Sequence, residues 1–324
     1  MRYFIKLIVF YFLVIALLVT VSSNLAQSQE KDKKKEEGFY SQLVRGVIRL
    51  EEHQSICTPG RDWSIERDVL AGTAFFIRDR LPSEGTGKID RLFLVTARHV
   101  VEKQADLFAR IQTGPRSSKT MVLRLPRQLW VFHPAPIQEG KFPIDVAVMM
   151  IPPTDFIKAF LHCTSDDNPG GCGNNEDTKQ PLMNQVGEPP TVMDPALLLG
   201  FPGQYVAKQA VEPFARAGIV AYTAVNPDLK IDGLPFADDS VFLIDAIAFP
   251  GNSGGPVMRE LRALSGDIQL WGLVTSSEPY QGRYTVATSV KRIHETLVYA
   301  RSIAKLNSDA WGNQLPPLPM KCVP

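Results

Sequence analysis

From Leu43 onward, the apolar residues of this chain fall into short runs and not into long stripes. LVRGVIRL (43–50), GTAFFIR (72–78), RLFLVTA (91–97), TMVLRL (120–125), QLWVF (128–132) and DVAVMMI (145–151) form a first set. ALLLGFP (196–202), ARAGIVAYTAV (215–225), SVFLIDAIA (240–248), IQLWGLVTS (268–276) and YTVATSV (284–290) form a second. Each run is rich in Val, Ile, Leu or Phe and is bounded by Gly, Pro or charged residues, which is the pattern of β-strands. Residues 164–195, between the sets, are polar and rich in Gly, Pro, Asn and Asp, so they read as a connection or surface insertion. The period changes only near the end. In 289–307, Ile293, Leu297, Ala300 and Ile303 recur at helical spacing. Two sets of short strands and one late helix predict an all-β fold: two antiparallel six-stranded β-barrels with a C-terminal α-helix.

The ends of the chain add a second layer. MRYFIK is basic, LIVFYFLVIALLVTV (7–21) is uninterrupted apolar sequence, and small residues suited to cleavage follow at Ser23, Ala26 and Ser28. That order is a secretory signal peptide over 1–28. The alternative is an uncleaved anchor, because the apolar stretch with its flanks approaches the roughly 20 residues that span a bilayer. Either reading exports the body of the protein, to a periplasm or beyond, and brings a membrane in only if the segment stays uncleaved. A charged linker (29–40) then leads to the first barrel (41–155), a polar connection (156–195), the second barrel with its helix (196–307) and a Pro-rich tail (308–324). Cys163 and Cys172 flank the turn-rich TSDDNPGG, which can bring their sulfurs together and leaves Cys57 for Cys322. Four cysteines allow three connectivities, and this one is the expectation.

Composition narrows the function. Apolar residues are 44%, charged residues 21%, and the formal net charge is +1, so no basic field points to nucleic acid. No CxxC or Cys/His cluster with zinc spacing is present, so no metal or cofactor is expected.

FPGNSGGPV (249–257) carries the candidate chemistry. A serine hydroxyl needs a base within hydrogen-bond reach to act as a nucleophile. Of the five histidines, His99 in FLVTARHVVE stands where a buried strand ends. Asp145 stands at the mouth of an otherwise apolar strand, where a carboxylate requires a partner. Histidine, aspartate and Ser253 each sit at a strand end, in that order. The glycines of the loop let the Gly251 and Ser253 amides converge on one concavity, an arrangement that stabilises an oxyanion.

GTAFFI (72–77), LVTARHVV (94–101), DVAVMMI (145–151), LLGFPG (198–203) and GNSGGPV (251–257) resemble, in order, the landmarks of the chymotrypsin/trypsin superfamily of serine endopeptidases. The resemblance spans about 43–300. It implies a double barrel with the site in the cleft, His99 as general base, Asp145 as its orienting acid and Ser253 as nucleophile. Gly251 and Ser253 match the oxyanion donors. Within the superfamily the chain is more similar to the bacterial HtrA/Deg and glutamyl-endopeptidase branches, without room for a PDZ domain. Asn252 stands where digestive enzymes carry an aspartate that pairs with a freed N-terminus, and Arg98 is larger than the residue usual beside the histidine. Ile247 matches the floor of the specificity pocket, and Thr275, Ser276 and Ser277 the segment that pairs with substrate backbone. The implied substrates are polypeptides, cleaved after small or medium apolar residues, with Glu278 and Arg283 nearby. Two alternatives remain at this point. One is a non-catalytic binding protein on the same fold; the other is an α/β-hydrolase using the G-x-S-x-G pattern with Asp267 and His294.

Overall fold

The computed structural model describes residues 46–57, 64–81, 89–104, 106–112, 120–136, 143–151, 185–186, 189–203, 212–223, 240–259, 269–277 and 284–304. Residues 1–28, read as an export segment, and 29–40, read as a charged linker, lie outside them, as do Cys163, Cys172, Cys322, His162, Asp267, Glu278, Arg283 and the Cys57 side chain. Everything described belongs to one unit, Leu43–Pro324.

Seven strands make the first sheet: β1 (Val47–Cys57), β2 (Ser64–Leu81), β3 (Ile89–Thr96), β4 (Asp106–Gln112), β5 (Thr120–Pro126), β6 (Val131–Phe132) and β7 (Ala147–Ile151). Their order is β5-β4-β1-β2-β3-β7-β6, every pairing is antiparallel, and the sheet curls without a described pairing between its outer strands. A bulge between Leu50 and Glu51 bends β1 against the long β2. Leu92, Phe93, Leu94 and Val95 are all buried, although successive residues face opposite sides of a strand. That is why β3 reads as a continuous apolar run and not as an alternation.

The second sheet contains β8 (Gln185–Val186), β9 (Pro195–Gly200), β10 (Phe214–Thr223), β11 (Val241–Asp245), β12 (Pro256–Arg259), β13 (Gln269–Ser277) and β14 (Tyr284–Ser289). Pairing of β12 with both β9 and β13 closes six of these strands into a barrel. Val220, Phe242, Ile244, Val257, Trp271 and Val274 fill its core. The two-residue β8 falls within the segment read as a connection, and it adds to β13 in parallel. The remaining pairings are antiparallel, an architecture that removes the α/β-hydrolase alternative, which requires a largely parallel sheet. His294, which that alternative needed as a base, is an exposed residue of the last helix.

Two α-helices and a one-turn 3-10 helix (Arg127–Leu129) complete the described fold. A short one, α1 (Arg98–Glu102), follows β3, and α2 (Val290–Ala304) follows β14. Ile293, Leu297 and Ala300 are buried as their spacing predicts, and Ile303 is half-buried. Helix α2 lies against β13 of its own barrel and against β7 and β6 of the first sheet, so it bridges the two lobes. His133, just after β6, pins the bridge. Its Nδ1 accepts the Ala135 amide at 3.1 Å, so Nε2 carries the proton donated to Glu295 Oε2 of α2 at 2.9 Å.

Candidate active site

Ala97 precedes α1 in extended conformation and has no side chain able to cap the helix. Asp145, two residues before β7, supplies the missing acceptor. Its Oδ1 takes the His99 amide at 2.8 Å, and its Oδ2 takes His99 Nδ1 at 2.7 Å. One carboxylate thus fixes both the backbone and the ring of the histidine. A carboxylate only accepts, so Nδ1 bears the proton and the neutral ring presents its lone pair at Nε2. Burial by itself would lower the imidazole pKa; the hydrogen bond and charge of Asp145 together outweigh it and hold His99 above its ordinary 6.5. The His99 side chain remains 50% exposed, and among the described residues its Nε2 has no hydrogen-bond partner.

Arg98, the large neighbour of this histidine, is occupied elsewhere. It bonds Glu102 one turn on at 2.6 Å and lies 4.9 Å from the centre of the Phe132 ring, which Arg127 also covers at 4.8 Å. The Arg98 hydrogen bond holds the Glu102 carboxyl below its usual range. Its size is accommodated on β6, away from the Nδ1–Asp145 pair.

The serine loop is made of two consecutive turns. Asn252 N–H donates to Phe249 O at 2.9 Å, and Gly255 N–H to Asn252 O at 2.9 Å. The third residue of each is a glycine with positive φ, Gly251 at 98° and Gly254 at 85°. That is the signature of type II turns, and Pro250 suits the second position of the first. Five successive carbonyls, from Phe249 to Ser253, are all engaged: Pro250 O by Gly203 N–H at 2.8 Å, Gly251 O by the Thr73 hydroxyl at 2.6 Å, and Ser253 O by Thr73 N–H at 2.8 Å. Gly254 N–H goes to Val274 O at 2.7 Å. Among the described residues, the amides of Gly251 and Ser253 have no acceptor, and both residues are half-exposed. Two open N–H groups in a loop whose carbonyls from Phe249 to Ser253 are engaged can receive an anion.

Packing joins the loop to the histidine's strand. A side chain at Gly254 would collide with Thr73 O and Thr96 Oγ1 and come within 3.0 Å of Ala97 N, so the residue after the serine abuts the turn from β3 into α1. Thr96 itself donates to Thr73 O at 2.6 Å. The Ser253 hydroxyl makes a long bond of 3.4 Å to Thr275 O; no hydrogen bond joins it to His99 among the described residues. Bonds of that kind are commonly open in unliganded sites and tighten in the reacting complex.

The other expected positions are placed as follows. Ile247 is 50% exposed, and its carbonyl accepts Arg216 Nη1 at 2.8 Å, while the Arg216 guanidinium lies 4.2 Å over the Phe249 ring. Thr275 is buried and donates to Val286 O at 3.1 Å. Ser276 and Ser277 lie in β13 opposite Val286 and Thr285, with their side chains outside the described residues. Asn252 is buried, and its Oδ1 has no partner among the described residues. No group of three His, Cys, Asp or Glu side chains gathers as metal ligands among those residues. Thr73, Gly203 and Arg216 were not marked by the sequence. Thr73 does fall inside GTAFFI, but its hydroxyl acts on residues far along the chain.

No protein-family model matches the chain, and no curated protein matches it in sequence. Solved structures do align with it. The HtrA-type protease AlgW with decapeptide is similar at 15% identity and a TM-score of 0.48, over 82% of this chain and 67% of that one. The serine endoprotease from Yersinia pestis aligns at 14% identity and 0.44, covering 81% and 66%. The active form of the Rv3671c protease from M. tuberculosis aligns at 16% identity and 0.41, covering 79% and 80%.

Proposed function

We propose that the protein is a serine endopeptidase of the trypsin-like kind, with Ser253 as nucleophile, His99 as general base and Asp145 as the group that orients it. The observation that carries this reading is the complementary state of two neighbouring elements. On the first sheet, an imidazole is fixed through Nδ1 and presents a bare Nε2. On the second barrel, the amides of Ser253 and of Gly251 two residues before it are unclaimed among the described residues, while the carbonyls from Phe249 to Ser253 are all bonded.

The chemistry follows from those groups. As the Ser253 oxygen attacks a peptide carbonyl, its proton passes to His99 Nε2, and the new imidazolium is stabilised by Asp145. The carbonyl oxygen gains charge and moves toward the Gly251 and Ser253 amides; losing one such donor typically raises a barrier by about 3 kcal/mol. His99 returns the proton to the leaving amine, the C–N bond breaks, and water hydrolyses the acyl-enzyme by the same route. No metal or cofactor enters these steps.

We assign cleavage after small or medium apolar side chains. The half-exposed Ile247 offers an apolar floor that leaves a charged side chain unsolvated and unmatched. Export through residues 1–28 and the Cys163–Cys172 and Cys57–Cys322 pairings belong to the same proposal. The lack of a hydrogen bond from the Ser253 hydroxyl to His99 among the described residues favours the non-catalytic binding protein. Casein turnover separates the two: the full chain digests casein and Ser253→Ala does not, whereas equal digestion by both, or by neither, rejects the assignment.

A further inference from the structure

We propose that Thr73 is a positioning residue that holds the serine loop in register with the histidine across the two lobes, a role that rests on the endopeptidase reading. Thr73 lies on β2 of the first sheet and is fully buried. Every polar group it has is in use, and three of its four bonds cross to the second barrel. Its N–H donates to Ser253 O at 2.8 Å. Its hydroxyl donates to Gly251 O at 2.6 Å and accepts Phe201 N–H at 3.0 Å. The fourth bond runs the other way, from the Thr96 hydroxyl to Thr73 O at 2.6 Å, at the end of the strand that leads into His99.

The hydroxyl answers a specific demand. Gly251 C=O needs a donor and Phe201 N–H needs an acceptor, and a single oxygen meets both. The residues it grips flank the reacting atoms: Gly251 supplies one open amide and Ser253 supplies the other. A type II turn becomes type I by rotation of its central peptide, which here is Pro250–Gly251, the peptide that carries the Gly251 N–H. Gly203 holds that peptide by its carbonyl, and Thr73 holds the next one. With the hydroxyl removed, the turn is restrained from one side only, and the open amide loses its fixed direction. Loss of direction at an oxyanion donor affects the transition state more than the bound substrate.

A purely structural spacer at this position would affect folding alone, so the test reads both. Full-length Thr73→Val keeps the volume and removes the hydroxyl; Thr73→Ser restores the hydroxyl. Each is assayed for the second-order rate of fluorophosphonate labelling, for kcat and KM on a fluorogenic peptide, and for thermal unfolding. Thr73→Val is expected to slow labelling and kcat about a hundredfold, the scale of a small misplacement of reacting groups. KM and the acid limb of the pH profile stay near wild type, because the His99–Asp145 pair is untouched. Thr73→Ser recovers most of the rate. The inference is overturned if Thr73→Val labels at the wild-type rate, or if Thr73→Ser is as slow as Thr73→Val. Should Thr73→Val not fold, Thr73→Cys takes its place: a thiol donates weakly, so labelling slower than Thr73→Ser supports the role and equal labelling overturns it. A wild-type chain that takes no label would reject the endopeptidase reading itself, a separate outcome.

Discussion

Among the described residues, two histidine–carboxylate pairs are of nearly equal length, His99–Asp145 at 2.7 Å and His133–Glu295 at 2.9 Å. They differ in what becomes of the second ring nitrogen. His133 is buried, and its Nδ1 accepts the Ala135 amide, so both nitrogens are consumed in fastening α2 to the first sheet. His99 is half exposed and, among the described residues, uses one ring nitrogen only. The carboxylates differ too. Glu295 is shared with Arg292 at 2.9 Å, whereas both oxygens of Asp145 serve His99. A contact between an imidazole and a carboxylate therefore says little about function. Among the described residues, an unspent lone pair at Nε2 is what sets His99 apart from His133.

The largest effect should come from breaking the pairs one at a time. His99→Ala is expected to lower kcat/KM by on the order of 10⁴-fold with little change in thermal stability. His133→Ala should do the reverse: activity per folded molecule stays within a few-fold, while stability falls by about 2 kcal/mol, because Glu295 and the Ala135 amide lose a buried partner. Kinetics and thermal melts on both variants check this contrast.

The pairs should also respond differently to acid. His99 must be neutral to accept a proton, and its pKa is held above 6.5, so activity falls as pH drops through that raised value. Asp145→Asn removes the contributions that raise it and leaves burial, which lowers it. The acid limb of kcat/KM should then move to lower pH while the maximum rate drops by about 10³-fold or more. Glu295 has the opposite sign. Burial works to raise its pKa, but hydrogen bonds from Arg292 and His133 overcome that and hold it below 4.5. The stability this contributes is present above pH 4.5 and is lost as pH falls through the lowered value. Glu295→Gln should flatten that part of the acid-unfolding curve, read by denaturant midpoints across the range. Arg98→Ala is the mildest change: loss of an i,i+4 pair and a ring contact should reduce stability by about 0.5–1 kcal/mol and leave activity within a few-fold.

How much of this could be read from the sequence depended on range. Apolar runs and their ends gave the strands, and His99, Asp145 and Ser253 stood out because polar residues at the ends of buried strands need a purpose. The stripe through Ile293, Leu297 and Ala300 gave α2 because a helix of several turns repeats its own pattern. Helix α1 was not legible, since five residues cannot show a period, and it is capped by a carboxylate far away in sequence. The two-residue β8 carries no alternation either. Thr73 was hidden for a related reason. A threonine inside an apolar strand has an ordinary β preference, and its bonds to Phe201 and Gly251 exist only once two lobes are docked. Gly251 and Gly254 were read as glycines that permit a turn; the structure adds that Gly254 leaves no room for any side chain against Thr96.

The most direct test of the account is the site of fluorophosphonate modification in the full chain, mapped by peptide mass spectrometry for wild type and His99→Ala. The account requires the label on Ser253 in the wild type and its near absence when the imidazole is removed. A label on another residue, or equal modification of Ser253 in both proteins, would contradict it.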